Sequence, residues 1–237
     1  MLVLRSILFN ISFFGAIILF STGALLILPL PFRWRYQFIT WWARYNIFSL
    51  HILCGLKVEV SGREHLPSRP VVFLSNHQST WETASFQAIL PPIAWVLKRE
   101  LQWIPLFGWA MASMKPIAID RSAGKEAMRQ IIEQGQLRIQ QGRSIIIFPQ
   151  GTRTAPGAKR RYGLGGAVLA TETSTPVVPI AHNAGLFWPR RGFLKKPGII
   201  HMVIGPQIVT KGRKAEEVNK EVQDWIEGQL RSFSENE

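Results

Sequence analysis

The sequence predicts an α/β protein with a mostly parallel central sheet flanked by helices, preceded by an N-terminal hydrophobic helical membrane segment. Two observations lead to this class: an early uncharged apolar stretch, and β-rich runs that alternate with helix-like stretches beyond residue 57. The length of 237 residues suits one domain with an appendage, because domains commonly have about 100 to 200 residues. We expect a membrane-anchoring segment over residues 1–56 and one domain over residues 57–237.

The membrane segment is predicted over Ile7 to Leu30, inside a stretch from Ser6 to Phe32 that has no charged residue. As a helix its 24 residues would span about 36 Å, enough for a hydrocarbon layer of roughly 30 Å. A cleaved signal peptide is the alternative. The stretch exceeds the usual apolar region of roughly 7 to 15 residues and ends in LPLPFRWR, without a small-residue cleavage site. We interpret it as a retained anchor.

The charges around this segment predict its orientation. Arg5 and the amino terminus precede it, and no acidic residue follows it before Glu59. Four basic residues follow it: Arg33, Arg35, Arg44 and Lys57. By the positive-inside tendency the larger part of the chain is cytoplasmic. We expect a cell-membrane protein, at the inner membrane in a bacterium.

Residues 34–56 predict a second helix in or near the membrane, because tryptophans and tyrosines are mixed with arginines, as suits the headgroup layer. A core helix of the soluble domain is the alternative. Pro29 and Pro31 predict a break between the two segments. A hairpin in one leaflet therefore stands beside a true crossing.

Beyond residue 57 the β-rich runs predict a largely parallel sheet covered on both faces, because strands alternate with helices. Two helices are predicted over Ser122 to Gln141 and Ala215 to Phe233, from apolar residues at helical spacing. The predicted strands are Lys57 to Val60, Val71 to Leu74, Ile93 to Leu97, Pro116 to Ile119, Ser144 to Phe148, Val177 to Ile180 and Ile199 to Ile204.

Charge points to an anionic partner, since the net charge is +13 and the 138–214 region has 13 Lys or Arg against one acidic residue, Glu172. With a membrane segment in the same chain, anionic lipid or a phosphorylated substrate is favoured. We expect no nucleic-acid partner, because the basic residues fall outside recognisable nucleic-acid-binding patterns.

Several chemistries are disfavoured. The single cysteine, Cys54, excludes an internal disulfide and a cysteine-based zinc site, and the five histidines are scattered, so we expect no metal. The sequence has no G-x-S-x-G, P-loop or G-x-G-x-x-G motif.

The stretch NHQSTWE, residues 76–82, places His77 and Glu82 directly after a predicted strand. Five residues turn about 140° on an ideal helix, so the two side chains can meet only if His77 lies in the loop and Glu82 in the first helical turn. Ser79 and Glu82 form the S-x-x-E capping-box pattern, which predicts that arrangement. The pattern alone leaves open whether Glu82 only caps the helix or also pairs with His77.

A second motif, FPQGTR at residues 148–153, follows the predicted strand 144–148. It offers a glycine turn, a hydroxyl and a guanidinium at the carboxyl end of a strand, where α/β sheets usually bind ligands.

These blocks together resemble the glycerolipid acyltransferase family, with the branch that makes phosphatidic acid from lysophosphatidic acid as the best match. The resemblance covers residues 57–209 and rests on NHQSTWE, FPQGTR, V-P-I at Val178 to Ile180 and a linking block. The linking block comprises Lys98 to Leu101, Pro105, Gly108 and Ile119 to Arg121. The chain departs from the family at two positions, having Glu82 where aspartate is usual and Gln150 where glutamate is usual.

The resemblance implies that residues 57–237 form an acyltransferase domain, in which His77 is the general base and Glu82 orients it, so that a glycerol hydroxyl attacks an acyl thioester directly. Lys98 and Arg153 would hold the acceptor's phosphate, with Arg121 a third choice. The implied substrate-binding residues are Asn76, Lys98, Arg121, Gln150, Gly151, Thr152 and Arg153. The sequence does not identify the oxyanion donors; backbone N–H groups near the start of the helix after His77 are candidates.

The implied activity is transfer from acyl-CoA or acyl carrier protein, as co-substrate and without a cofactor, to the sn-2 hydroxyl of 1-acylglycerol 3-phosphate (lysophosphatidic acid). The alternatives are glycerol 3-phosphate or another lysolipid as acceptor, a thioester hydrolase, and a non-catalytic lipid-surface binding protein of the same fold. Acyl-chain length, donor type and oligomeric state are not predicted.

Overall fold

The computed structural model describes residues 1–120 and 123–235, and the side chains of these residues up to 233. The α-helices among these residues are α1 (Leu2–Leu26), α2 (Phe32–Cys54), α3 (Trp81–Ile89), α4 (Phe107–Ser113), α5 (Lys125–Gln140), α6 (Gly165–Glu172), α7 (Ala184–Phe187) and α8 (Ala215–Glu235). Its seven strands are β1 (Leu56–Ser61), β2 (Val72–Ser75), β3 (Ile93–Lys98), β4 (Ile117–Ile119), β5 (Ser144–Ile147), β6 (Val177–His182) and β7 (Gly198–Ile204).

The strands form one sheet in the order β1-β7-β6-β2-β5-β3-β4, in which only the β6–β7 pair is antiparallel. The central strands β2, β5 and β6 are buried at every residue. This is why they read as continuous apolar runs rather than as alternating patterns. The predicted mostly parallel α/β fold is confirmed, and each predicted strand coincides with an observed one to within two residues at either end.

Helix α1 begins and ends earlier than predicted, at Leu2 and Leu26 rather than at Ile7 and Leu30. A turn over residues 27–30 follows it, and Pro31 immediately precedes α2, so the predicted break is present. By length and composition α1 is long and apolar enough to cross a membrane. Its outward face is apolar, with Leu4, Ile11 and Leu19 among the exposed side chains.

The other face of α1 packs against the body that contains the sheet. Phe9 and Phe13 make edge-on ring contacts with Trp188, at centroid distances of 5.3 and 5.5 Å. Nearby, the Lys195 N–H donates to Ser6 Oγ at 3.0 Å and the buried Lys195 ammonium donates to Asn10 Oδ1 at 2.9 Å. The start of α1 is therefore attached to the loop between α7 and β7.

The later part of α1 packs against α4, and Ser21 borders a small apolar hollow together with Ala110 and Met111. Phe9, Phe13 and residues of β2, β3, β6 and β7 belong to one apolar core. The boundary predicted between residues 56 and 57 falls one residue inside β1, just after the turn at Gly55. The division into two domains stays a prediction.

The two other predicted helices are present with adjusted ends. Helix α5 begins at Lys125, three residues after the predicted Ser122, which lies outside the described residues. Helix α8 begins at Ala215 as predicted and continues to Glu235. Together with α6, these helices cover the face of the sheet opposite α1 and α2, through a second apolar core.

Candidate active site

Three neighbouring strands bring polar residues to one edge of the sheet. Strand β2 leads into Asn76 and His77, β5 leads into residues 148–153, and β6 ends at His182. Because β2 pairs in parallel with both β5 and β6, their carboxyl ends meet at the same edge. Residues far apart in the sequence therefore surround His77.

His77 and Glu82 contact each other directly, with His77 Nδ1 2.7 Å from Glu82 Oε1. The ring lies in the loop before α3, and Glu82 lies in the first turn of that helix. The Ser79 N–H donates to both oxygens of Glu82, at 2.8 and 3.1 Å, and Ser79 Oγ accepts from the Trp81 N–H at 3.0 Å. Glu82 thus caps α3 and pairs with His77, which are the two roles that the sequence pattern left open.

Glu82 has no solvent exposure, and its carboxylate also accepts from the Gln78 N–H at 2.9 Å. Burial by itself would raise the pKa of Glu82. The nearby rings of His182 and His77 and the hydrogen bonds from His77 and Ser79 outweigh burial, holding the pKa of Glu82 below its ordinary value. Glu82 is therefore a buried carboxylate near neutral pH, and it fixes the proton of His77 on Nδ1, leaving Nε2 as the basic nitrogen.

The FPQGTR loop holds His77 from the other side. The His77 N–H donates to Gln150 Oε1 at 2.6 Å, and the His77 carbonyl accepts from the N–H and hydroxyl of Thr154, at 2.8 and 3.2 Å. The imidazole stacks on Phe148, with ring centroids 4.1 Å apart. Gln150 needs only an acceptor oxygen for this contact, so an amide serves where the family usually has a carboxylate.

Arg153 is partly buried beside this loop. Its Nη2 is 3.5 Å from Thr83 Oγ1, and its buried Nε has no hydrogen-bond partner among the described residues. Burial lowers the pKa of the Arg153 guanidinium, and Glu82 partly opposes this effect. The arginine remains charged near pH 7 and keeps donors for an anion.

The other predicted binding residues vary in their placement. Gly151 lies in an exposed turn with a positive φ of 71°. An added Cβ would meet no atom within 4 Å, so glycine is favoured here by its backbone conformation and not by lack of space. Thr152 is partly exposed in the same turn. Lys98 ends β3 at the same edge but is exposed, and within the described chain it forms no hydrogen bond or ion pair to His77 or Arg153. Arg121 lies outside the described residues.

Asn76 is fully buried and joins β2 to β6. Its side chain accepts from the His182 N–H at 3.0 Å and donates to the His182 carbonyl at 2.8 Å. The His182 ring, which the sequence reasoning did not select, lies with Nε2 4.0 Å from Glu82 Oε2. The pattern that indicated His77, a polar residue at the carboxyl end of a buried strand, also applies to His182.

Most backbone N–H groups near the start of α3 already have hydrogen-bond acceptors. Within residues 77–81, the N–H groups of His77, Gln78, Ser79 and Trp81 are already bonded to side-chain oxygens. The remaining group of this segment, the Thr80 N–H, has no hydrogen-bond acceptor among the described residues. The carboxylate that orients His77 occupies the donors that a generic helix start would leave open.

Comparisons with known proteins show the family to which the chain belongs. A family profile described as acyltransferase matches residues 57–183. The chain is 41% identical over 236 residues to the 1-acyl-sn-glycerol-3-phosphate acyltransferase of Pseudomonas aeruginosa, covering 98% of this chain and 92% of the relative. It is 30% identical over 202 residues to the Saccharomyces cerevisiae protein of the same name, covering 80% and 66% of the two chains.

A solved structure shows the same fold. The crystal structure of the 1-acyl-sn-glycerophosphate acyltransferase PlsC from Thermotoga maritima superposes with a TM-score of 0.82 at 22% identity, covering 99% of this chain and 98% of that one. The family profile and the near full-length relative identify this chain as an O-acyltransferase that belongs to the 1-acyl-sn-glycerol-3-phosphate acyltransferase family.

Proposed function

We propose that this protein transfers an acyl group from an acyl thioester to the sn-2 hydroxyl of 1-acylglycerol 3-phosphate, producing phosphatidic acid and a free thiol. The observation that carries this proposal is the 2.7 Å contact between His77 and a buried carboxylate, beside an arginine with an unsatisfied donor. The name of the Pseudomonas aeruginosa relative supports the choice of acceptor.

In the proposed reaction His77 Nε2 removes the proton from the acceptor hydroxyl as its oxygen attacks the thioester carbon. The resulting tetrahedral intermediate collapses, the carbon–sulfur bond breaks, and the imidazolium returns the proton to the leaving thiolate. Glu82 stabilises the imidazolium and keeps the ring in the required tautomer. No enzyme nucleophile takes part, which agrees with the missing G-x-S-x-G motif. The Thr80 N–H is our choice for an oxyanion donor, at the amino end of α3.

Arg153 would bind the acceptor's phosphate. Its buried Nε lacks a partner among described residues, so an incoming phosphate oxygen would satisfy a donor whose desolvation is already complete. Lys98 would supply a second, more mobile charge from the end of β3. The exposed Lys159, Arg160 and Arg161 follow the same loop and suit the anionic groups of either coenzyme A or acyl carrier protein.

We propose that α1 lies in one leaflet rather than crossing the bilayer. Its early residues contact Trp188 and Lys195, while its later residues contact α4, so both ends are attached to the same body. A crossing helix would have to separate its ends by about 30 Å of hydrocarbon. The apolar outward face can instead rest in the headgroup and acyl boundary. The basic excess of the chain favours the anionic cytoplasmic leaflet.

The activity test uses the purified full-length protein in mixed micelles, with radiolabelled acyl-CoA or acyl carrier protein. 1-Acylglycerol 3-phosphate should become labelled phosphatidic acid. Failure with both donors would refute the proposal. Labelling of glycerol 3-phosphate instead would change the acceptor, and release of free fatty acid without an acceptor would indicate a hydrolase.

The membrane arrangement can be tested with single cysteines, since the only native one, Cys54, is buried. Val3→Cys and Leu28→Cys, each in a Cys54→Ala background, would be labelled in sealed vesicles with an impermeant maleimide. Lys211→Cys, in an exposed loop, would report the side of the main body. We expect all three positions to be labelled from the same side. Labelling of residues 3 and 28 from opposite sides would show that α1 crosses.

A further inference from the structure

His182 is a buried histidine that the proposed reaction does not use. Its side chain has no solvent exposure and packs against Trp81 and Phe86, with ring centroids 5.5 and 5.8 Å away. A leucine or phenylalanine would fill such a space without the cost of burying two ring nitrogens. The presence of a histidine therefore needs an explanation in its polar contacts.

Both ring nitrogens of His182 have partners. Nδ1 accepts from the Ala184 N–H at 3.3 Å, which places the ring proton on Nε2. Nε2 then donates to the carbonyl of Asn76 at 3.1 Å. With the two bonds between the Asn76 side chain and the His182 backbone, three hydrogen bonds join these residues across 106 positions of sequence. This arrangement fixes the residue immediately before His77.

The same ring lies close to the catalytic couple. The Nε2–H group is 4.0 Å from Glu82 Oε2, whereas His77 uses Oε1. The titratable groups that face His182 are Glu82 and His77. Burial lowers the pKa of His182, so the ring is neutral near pH 7, and its Nε2–H group, which donates to Asn76, lies beside the carboxylate without adding a charge.

We propose that His182 is a positioning residue for the transfer reaction: its Nε2–H holds the main chain at Asn76, and its ring supports the Glu82 oxygen that His77 does not use. This inference rests on the proposed function. Contacts of this kind do not touch the substrate, but they keep a general base close to the position and orientation that proton transfer requires.

The test compares His182→Leu, which fills space without an N–H, with His182→Gln, which retains an amide donor. His201→Gln is the matched control, since His201 lies on the adjacent strand β7 with a partly exposed side chain. Should the leucine variant not fold, His182→Asn replaces it, because the shorter amide cannot reach Asn76. Initial rates are measured against both substrates from pH 5.5 to 8.5, and folding by thermal melting.

We expect His182→Leu to lower kcat by about 10- to 100-fold, with both KM values within about threefold of wild type. The acid limb of kcat/KM should move to higher pH, because losing the dipole makes the His77–Glu82 couple easier to protonate. The glutamine variant should recover much of kcat, and the control should remain within about twofold of wild type. A folded leucine variant with kcat within twofold would overturn the proposal. Equal losses in both variants with an unmoved acid limb would also overturn it, because the amide donor of the glutamine variant would then have no effect.

Nitrogen-15 NMR of histidine-labelled protein in micelles separates this proposal from the proposed function. Near neutral pH, His182 should show a protonated Nε2 and a bare Nδ1, and the titration of the His77 ring should change in His182→Leu. An unchanged His77 titration would reject the positioning role even if the wild-type protein transferred no acyl group. Absence of transfer by wild type would reject the proposed function alone.

Discussion

The two sides of the site differ in how completely their polar groups are satisfied. Around Glu82 the carboxylate is fully buried and accepts from His77, Gln78 and Ser79. Around Arg153 a buried Nε has no partner in the described part of the chain, and Lys98 is exposed at the end of β3. The groups that we propose for proton transfer already have their hydrogen-bond partners, whereas a donor that we propose for phosphate binding has none among the described residues. Changes on the first side should lower kcat, and changes on the second should raise KM.

Removal of the base should have the largest effect. His77→Ala should reduce kcat by roughly 10²- to 10⁴-fold, because general-base catalysis supplies about that factor. The assay is acyl transfer by purified protein, with thermal melting to confirm that the variant is folded. A folded His77→Ala variant with near-normal turnover would contradict the assigned role.

The charge of Glu82 should matter next. Glu82→Gln keeps an oxygen for the Ser79 N–H but loses the charge that stabilises the imidazolium, so we expect kcat to fall by roughly 10- to 10³-fold. Glu82→Asp keeps the charge on a shorter arm and should retain more activity than the glutamine variant. If the two variants were equally active, Glu82 would be a cap and no more.

Arg153→Ala should affect binding of the acceptor rather than proton transfer. We expect the KM for lysophosphatidic acid to rise about 10- to 100-fold with a smaller change in kcat, because a charge-assisted bond to phosphate is lost. The KM for the acyl donor should change little. Arg129→Ala is the control of equal charge, since Arg129 forms only exposed ion pairs with Glu126 and Glu133. Equal effects of the two variants would show that net charge, not a phosphate contact, is responsible.

The smallest effect concerns stability against acid. The pKa of His182 in the folded protein lies below its ordinary value of 6.5, so the unfolded chain binds a proton first and stability falls as pH drops below about 6.5. The pKa of Glu82 is likewise below 4.5, which adds a second loss below that pH. Each kcal/mol lost should lower Tm by roughly 2 to 4 °C. His182→Leu should remove the first phase of this decline in thermal melts, and an unaltered decline would contradict it.

Much of the fold could be predicted because the buried strands have unbroken apolar runs and polar residues follow them. Those runs located β1 to β7, and the residues after β2 and β5 located His77 and Arg153. No short sequence pattern indicates that β7 pairs antiparallel with β6, or that β2 and β6 are neighbours in the sheet. For this reason the contact of His182 with Asn76 could not be predicted, although each residue lies two positions after a predicted strand.

Local chemistry was also predictable only in part. The capping-box pattern predicted where His77 and Glu82 could meet, because it depends on four consecutive residues. The sequence could not show which N–H group near the start of α3 lacks an acceptor, because that depends on the folded position of Glu82, which accepts from two of them. Lys98 was chosen by motif, and its distance from His77 depends on the order of strands between them.

The attachment of α1 through Ser6 and Lys195 also has a consequence in time. The two residues are separated by 189 positions, so the first helix leaves the ribosome long before its partner loop exists. At about 5 to 20 residues per second, that interval is roughly 10 to 40 s. During it the apolar faces of α1 that later contact Trp188 and α4 need another cover. Lipid can bury these faces during that interval. The membrane would therefore assist the folding of the nascent chain before it becomes the surface at which the folded protein acts.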